Sequence, residues 1–294
     1  MTDLINGLYK SKLELLNLPY DLVISTTTIT CHLDITFNVE NIGLYFNDFD
    51  DVIIGKRYGN RIVNNLINVK KLKIGKKKKR REKKNFYNQV SLIFRSATLM
   101  GLDPEILDIK EKFKTVNIKL FINGSIQMTG CKHLNNIKKS LEILFDKLKT
   151  CKAILNRELK FDIKPFVDDI TKLDINKVTN FKIVMINTNF NIQFQINREK
   201  LHYLLKELGF DVTFDPIIHA CVNIKYHIPN TFNKTISIFV FESGSITIAG
   251  SNSCQQVLDT YNFINKFILS NYSVLLTKDI TPNLIIDFIK KIKF

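Results

Sequence analysis

The side chains in this chain that could do chemistry are small, mostly neutral and evenly spaced. Stepping by two from Phe121 reaches Ser125, Gln127 and Thr129, and stepping from Phe241 reaches Ser245, Thr247 and Ala249. Ile24, Thr26 and Thr28 follow the same rhythm, as do Met185, Asn187 and Asn189. Residues two apart in a strand share a face. Hydroxyls and amides therefore gather on one side, with Phe at its ends, and Ile122, Ile126, Met128, Ile246 and Ile248 gather on the other. A face of this kind exchanges hydrogen bonds with whatever covers it. It carries fewer Lys and Glu than an ordinary water-facing sheet, although a partner-binding or solvated sheet remains the alternative reading.

Other chemistries find little support. The histidines (His32, His133, His202, His219, His227) fall at no metal-ligand spacing. Cys31, Cys131, Cys151, Cys221 and Cys254 are scattered and never in CxxC pairs, which suits a reducing, intracellular setting without disulfides or zinc. Gly55-Lys56 and Gly75-Lys76 lack the preceding glycine spacing of a phosphate-binding loop. No Ser, His and carboxylate set stands out. The expectation is a non-enzyme that needs no cofactor. No apolar run approaches the roughly 20 residues of a membrane span, and the N-terminus lacks a signal-peptide layout. The net charge is +15, and Lys70–Lys84 alone holds eleven Lys or Arg against one Glu. That run reads either as a solvated loop or localisation signal, or as a phosphate-contacting arm.

The elements that position these residues are duplicated. Phe-Ile-Asn-Gly-Ser-Ile-Gln-Met-Thr-Gly from Phe121 returns as Phe-Glu-Ser-Gly-Ser-Ile-Thr-Ile-Ala-Gly from Phe241. Each copy leads into a helical pattern, Leu134, Ile137, Leu141, Leu144 and Leu148 in one, Cys254, Val257, Tyr261, Ile264 and Ile268 in the other. Earlier in each half, a β-rich run (Ile24–Leu33; Asn187–Ile196) precedes an amphipathic segment. Pairing Cys31 with Phe194 gives an offset of 163 against 120 for the hairpins, so 43 extra residues are expected in the first half. The organisation read from this is a first repeat over 1–149 with a Lys-rich insertion at about 47–85. A connector with some helix follows at 150–179, then a second repeat over 180–272 and a helical extension over 273–294.

The order of these elements resembles the TATA-box-binding protein family, most closely the divergent members found in large DNA viruses. Thr129-Gly130-Cys131-Lys132 is similar to its Thr-Gly-Ala-Lys, and Cys31-His32-Leu33-Asp34-Ile35 to its Cys-Arg-Leu-Asp-Leu. Phe181-Lys182-Ile183 matches its Phe-Lys-Ile, and Phe214-Asp215-Pro216-Ile217-Ile218-His219 aligns with Tyr-Glu-Pro-Glu-Leu-Phe. The resemblance implies an α+β saddle: two pseudo-symmetric repeats forming one curved antiparallel sheet, with helices on the convex face. It further implies minor-groove binding of double-stranded, AT-rich promoter DNA, bent by aromatic wedges. Phe121 and Phe241 match one wedge of each pair; the others fall on Tyr87, with Phe86 as the near alternative, and on His219.

On the same resemblance the base-facing side comprises Ile24, Thr26, Thr28, Gln127, Thr129, Asn187, Asn189, Thr247 and Ala249. Small hydroxyls and amides suit a groove in which A·T pairs offer only acceptors. The family's paired asparagines fall on Leu22 and Met185, and its basic residue after each turn falls on Ser125 and Ser245. Phosphate contacts are then expected from Arg95, Lys119, Lys132 and Lys225, and from Lys76, Lys77, Lys78, Lys79, Arg80 and Arg81 of the basic run. Phe214, Asp215, Ile217 and Ile218 match the tip that receives a factor-IIB-like protein, so RNA polymerase machinery is an implied partner and membranes are not. A viral protein of this kind would work in a cytoplasmic viral factory, the host nucleus or the virion. The alternative is a scaffold of this fold with impaired DNA binding, or a sequence-nonspecific architectural nucleic-acid-binding protein.

Overall fold

The computed structural model describes residues 18–64, 87–99, 101–102, 114–131, 135–155, 159–229 and 234–276. Leu134, the basic run and the segment beyond Leu276, where a helix is expected from Pro282, lie outside the described residues. The chain divides into two compact units, Thr28–Lys182 and a second built from Ile183 onward together with the segment ending at Thr27.

Strand β1 (Val23–His32) belongs to the second unit up to Thr27 and to the first from Thr28; the first unit continues with α1 (Val39–Tyr45), β2 (Ile53–Tyr58), β3 (Arg61–Asn64), β4 (Gln89–Arg95) and α2 (Ser96–Leu99). Next come β5 (Thr115–Phe121), β6 (Ser125–Cys131), α3 (Asn135–Leu148), β7 (Lys152–Leu155) and β8 (Phe161–Lys164). Antiparallel pairing joins β6 to β5, β5 to β4, β4 to β2 and β2 to β3. Val90, Leu92, Phe94, Val116, Ile118, Leu120, Ile126 and Met128 alternate onto the covered face and are buried. Ile137, Leu141, Leu144 and Leu148 of α3 are buried as well, at the helical spacing read from the sequence.

The second unit repeats this plan with β9 (Thr179–Asn191), α4 (Arg198–Glu207), β10 (Asp211–Thr213), β11 (Cys221–His227), β12 (Thr235–Phe241), β13 (Ser245–Ser251), α5 (Cys254–Ser270) and α6 (Tyr272–Leu275). Its hydrogen-bonded order is β10-β11-β12-β13-β9. The core joins Val222, Ile224, Ile236, Ile238, Val240, Ile246 and Ile248 to Val257, Tyr261, Ile264 and Ile268 of α5. Ser253 caps α5 by accepting from the Gln256 N–H, and the Tyr261 hydroxyl donates to the Asp21 carboxylate at 3.0 Å. The α+β class and the doubled antiparallel unit expected from the sequence are what the chain adopts. Among the described residues no helix is long and apolar enough to cross a membrane.

The repeat offset is shorter than expected. Leu33 N–H donates to the Gly124 carbonyl and Ile192 N–H to the Gly244 carbonyl, both at 3.0 Å. Phe37 likewise donates to Ile122 and Ile196 to Glu242, and Asn38 and Asn197 cap α1 and α4. Each of these pairs is 159 positions apart, so the first half carries 39 extra residues and not 43. A shift of four is even and leaves every side chain on its face, which is why the alternation could be read despite the wrong offset.

Two further differences concern the extra chain. Part of the range read as insertion is built into the sheet, with β2 lying beside β4 as β10 lies beside β11, and β3 added outside it. The connector, expected to hold some helix, holds two 3-10 turns (Ile170–Lys172, Ile175–Lys177) and also a β7–β8 hairpin.

Lys56 of β2 is only 5% exposed, and its ammonium donates to the Ile42 and Phe46 carbonyls at the C-terminal end of α1. Cationic capping of that end is favourable, yet burial dominates and, with the Arg61 charge, lowers the Lys56 pKa from 10.5 to about 8. Between those values the unfolded chain holds the extra proton, so the penalty is fully present below about pH 8 and fades as pH rises towards 10.5. In denaturant titrations the native chain should gain stability relative to Lys56→Met across that window. A pH-independent difference would place the ammonium in water.

The two hairpin glycines make a second prediction. A Cβ on Gly124 (φ +80°) would stand 2.0 Å from the Leu33 carbonyl oxygen, and one on Gly244 (φ +78°) 2.2 Å from that of Phe194. Gly209 has φ +79° with nothing within 4 Å. Left-handed backbone alone costs an L-residue roughly 1–2 kcal/mol, so Gly209→Ala should lose about that much. Gly244→Ala should lose distinctly more, because the obstructing atoms are backbone. Equal losses in thermal or denaturant unfolding would refute the close approach.

Candidate nucleic-acid interface

Each unit has an open sheet face opposite its core, and cross-strand register shows which residues lie side by side on it. In the second unit Asn223, Phe239, Thr247 and Asn189 form one row across β11, β12, β13 and β9. Lys225, Ser237 and Ala249 form the next, and Cys221 faces Phe241 at the end. In the first unit the corresponding rows are Ser91, Lys119 and Gln127; Ile93, Asn117 and Thr129; and Gln89 facing Phe121. The hydroxyl-and-amide alternation read from the sequence is therefore physically assembled within each unit. Phe121 and Phe241 occupy equivalent strand ends and are half-buried.

Several assigned residues sit differently from expectation. Tyr87 is 55% exposed, but it precedes Gln89 by two residues and its ring packs edge-on against Tyr58, centroids 5.5 Å apart. His219 lies outside any strand, in a turn where its N–H donates to the Asp215 carbonyl at 2.7 Å. The position across from Phe241 belongs to Cys221, whose thiol burial pushes upward in pKa against the opposing Arg198 charge. Neither Tyr87 nor His219 stands directly opposite its Phe, because each strand begins two residues later than the paired-wedge reading needs.

The central residues also depart in part. Ile24 packs against the second unit's core, and Leu22 is buried within it, so neither lies open. Three consecutive residues of β1, Thr27, Thr28 and Ile29, are buried where a strand with one covered face would alternate. Thr28 is thus removed from solvent, and Thr26 stays half-buried. Asn187 Oδ1 is engaged by the Gly250 N–H at 3.2 Å, whereas Asn189 is exposed.

Of the cations, Lys225 donates to the Ser237 hydroxyl at 2.7 Å on the open face, and Lys119 lies mid-row between Ser91 and Gln127. The Arg95 side chain is 19% exposed and lies 4.0 Å from the Asp51 carboxylate. Phe86, Lys132, Lys76, Lys77, Lys78, Lys79, Arg80 and Arg81 lie outside the described residues.

At the 214–219 turn, Asp215 Oδ1 accepts from the Ile217 N–H and its carbonyl from Ile218 and His219. This presents Ile217 (94% exposed) and Ile218 (71%) to solvent. Phe214 is instead folded back under the Arg198 guanidinium, 5.3 Å from its ring centroid, so it is no tip residue. Arg198 also holds Glu242 at 2.7 Å and the Ala220 carbonyl at 2.8 Å, fixing the turn's base. Beside it is a cleft of about 660 Å³ lined by Tyr203, Leu204, Phe214, Pro216 and Val274 among others.

Sequence reasoning passed over Phe239 and Asn223. Phe239 is two residues from Phe241 and shares its face, so the same step-of-two count would have found it. Asn223 required the β11–β12 register, which no motif announces.

Comparison with known proteins bears on what this face belongs to. No family model matches the chain. A TATA-box-binding protein-like protein of Acanthamoeba polyphaga mimivirus is 33% identical over 282 residues, covering 90% of this chain and 70% of that one. The solved structure of a Methanococcus jannaschii TBP is similar at a TM-score of 0.46, with 11% identity over 83% of this chain and 95% of that one. On its identity with the mimivirus protein over nearly its whole length, the chain belongs to the TATA-box-binding protein-like family.

Proposed function

We propose that this chain is a transcription initiation factor that binds AT-rich promoter DNA from the minor groove, bends it, and recruits a factor-IIB-like protein and RNA polymerase. The observation that carries the reading is the doubled open face. Rows of Thr, Ser, Asn and Gln end in Phe121 and Phe241 at equivalent register positions, in a chain of this family. Hydroxyls and amides donate to the N3 and O2 acceptors of A·T pairs, and Phe at a strand end can wedge into a base step. Phe239 adds a third ring beside Phe241. The function is one of binding and shaping DNA within the cell, without covalent chemistry. The displaced His219 and buried Leu22 favour, as the second reading, a less sequence-selective architectural protein.

Anisotropy titrations at fixed salt on AT-rich and GC-rich duplexes separate these readings. A preference for AT-rich duplex is expected, and equal affinity would favour the architectural alternative. Phe121→Ala and Phe241→Ala should reduce bending, measured by energy transfer between duplex ends, more than deletion of Lys70–Lys84 does. The deletion should instead flatten the salt dependence, each lost phosphate contact lowering the slope by about one. Bending that survives both Phe changes would end the wedge assignment.

The exposed pair Ile217 and Ile218 supports a docking role, since an apolar turn has little reason to stay in water uncovered. Ile217→Lys with Ile218→Lys should weaken assembly of a cognate factor-IIB-like protein on the DNA complex and leave binary DNA affinity nearly intact. Loss of both would make the turn structural; loss of neither would place the partner elsewhere.

A further inference from the structure

The first unit's open face is more cationic than the second's, and the difference reaches beyond the strands read from the sequence. Cross-strand register continues the row of Ser91, Lys119 and Gln127 outward through β2 and β3. Ile62, Arg57, Ser91, Lys119 and Gln127 therefore lie side by side. Arg57 stands exposed in this row, while its chain neighbour Lys56 is buried against the carbonyls of α1 on the other side of the sheet. The equivalent row of the second unit starts at Thr213 and carries Phe239 where the first has Lys119. Two cations of the first unit thus correspond to uncharged residues in the second.

The surroundings leave both charges available. Neither Arg57 nor Lys119 forms an ion pair or a side-chain hydrogen bond among the described residues. The strands β2, β3, β4, β5 and β6 contain no Asp or Glu. In the second unit Lys225, the cation of β10 to β13, lies across from Asp211 and already donates to the Ser237 hydroxyl. Ser91, between Arg57 and Lys119, is short and buried, so it does not separate one charge from the other. Strands lie about 4.8 Å apart, which puts the two cations about 10 Å apart at the backbone. Their long side chains can narrow that gap onto one polyanionic strand.

We propose that Arg57 and Lys119 form a phosphate-binding lane across the first unit, holding the backbone of one strand of a DNA duplex. Arg57 supplies a planar fork of donors to phosphate oxygens, and Lys119 supplies a point charge. Phosphate contacts fix where a duplex sits without reading its sequence. The first unit then grips by charge what the second meets with Phe239 and Asn223. This inference rests on the DNA-binding reading and gives it a surface that the sequence did not announce, since Arg57 falls in the range read there as insertion.

Anisotropy titrations of the full chain with an AT-rich duplex, repeated over a series of salt concentrations, test the lane. Arg57→Gln and Lys119→Gln should each lower the slope of log affinity against log salt by about one and weaken binding several-fold at low salt. Arg57→Lys should keep the slope. Lys206→Gln, on the exposed side of α4 across the sheet from the open face, should leave it unchanged. The thermal unfolding midpoint of Arg57→Gln should hold, because the side chain is exposed. The lane is overturned if Arg57→Gln leaves slope and affinity as they were in a chain that binds duplex, or if Lys206→Gln lowers the slope as much. It is also overturned if Arg57→Gln weakens binding of a single-stranded oligothymidylate as much as binding of the duplex, which would make the cations a general polyanion patch. These three outcomes leave the DNA-binding reading standing. A wild-type chain that binds no duplex overturns that reading and the lane with it.

Discussion

Each unit hangs on one backbone contact, the closure of a glycine turn against the chain that leaves its first strand. Gly124 and Gly244 hold positive φ, and the Leu33 and Phe194 carbonyls lie where a Cβ would go, so on both counts these positions call for glycine. Their own carbonyls accept from Leu33 and Ile192. The turn pins the register of β5 with β6 and of β12 with β13, and register fixes which residues face outward. Immediately after the contact come the caps Asn38 and Asn197, so the same clamp sets where α1 and α4 begin. Altering the turn would therefore disturb the open face, the core and the helix start together.

On this shared frame the two open faces have diverged in the middle and kept their ends. Phe121 and Phe241 agree, as do Ser125 and Ser245. Away from the turn Lys119 corresponds to Phe239, Gln127 to Thr247 and Ser91 to Asn223, and at the start of the neighbouring strand Gln89 corresponds to Cys221. The retained positions are those next to the turn, where geometry leaves least choice. The changed ones lie mid-strand or on the neighbouring strand, where any side chain of suitable size fits a half-buried row. The first unit thus offers a cation where the second offers a ring flanked by an amide and a hydroxyl. A ligand with two like ends would meet two unlike surfaces.

The sequence revealed what is periodic and hid what is singular. Alternation in β5, β6, β12 and β13 and the helical spacing of α3 and α5 placed the buried residues correctly except for Ile122, which falls in the turn after β5 and is 46% exposed; a strand or helix with one covered face writes its period into the chain. The offset of 163 failed because pairing Cys31 with Phe194 matched two β-rich runs that share no motif to fix their register, whereas the structure aligns the carbonyls of Gly124 and Gly244 and the caps that follow them. The strand β3 and the β7–β8 hairpin were missed since each is four residues long, below the length at which alternation separates from chance. His219 was assigned from motif position alone. Its turn, closed on the Asp215 carbonyl, ends before the strand that would have carried it to Phe241.

Electrostatics follow from which cations are already committed. Arg198 is shared among Glu242, the Ala220 carbonyl and the Phe214 ring. Arg95 leans on Asp51, Lys56 is sealed against helix carbonyls, and Lys147 bridges Asp48 and Asp50 at 3.0 and 2.9 Å. These charges are engaged within the units and add little to the field outside. Lys70–Lys84 supplies +10 of the total +15 in fifteen consecutive residues. A polyanion approaching this protein at physiological salt, where charges beyond about 8 Å are screened, would respond chiefly to that run. On the open faces Lys119 and Lys225 stand among hydroxyls, amides and rings, so the densest charge and the hydrogen-bonding rows lie in different parts of the chain.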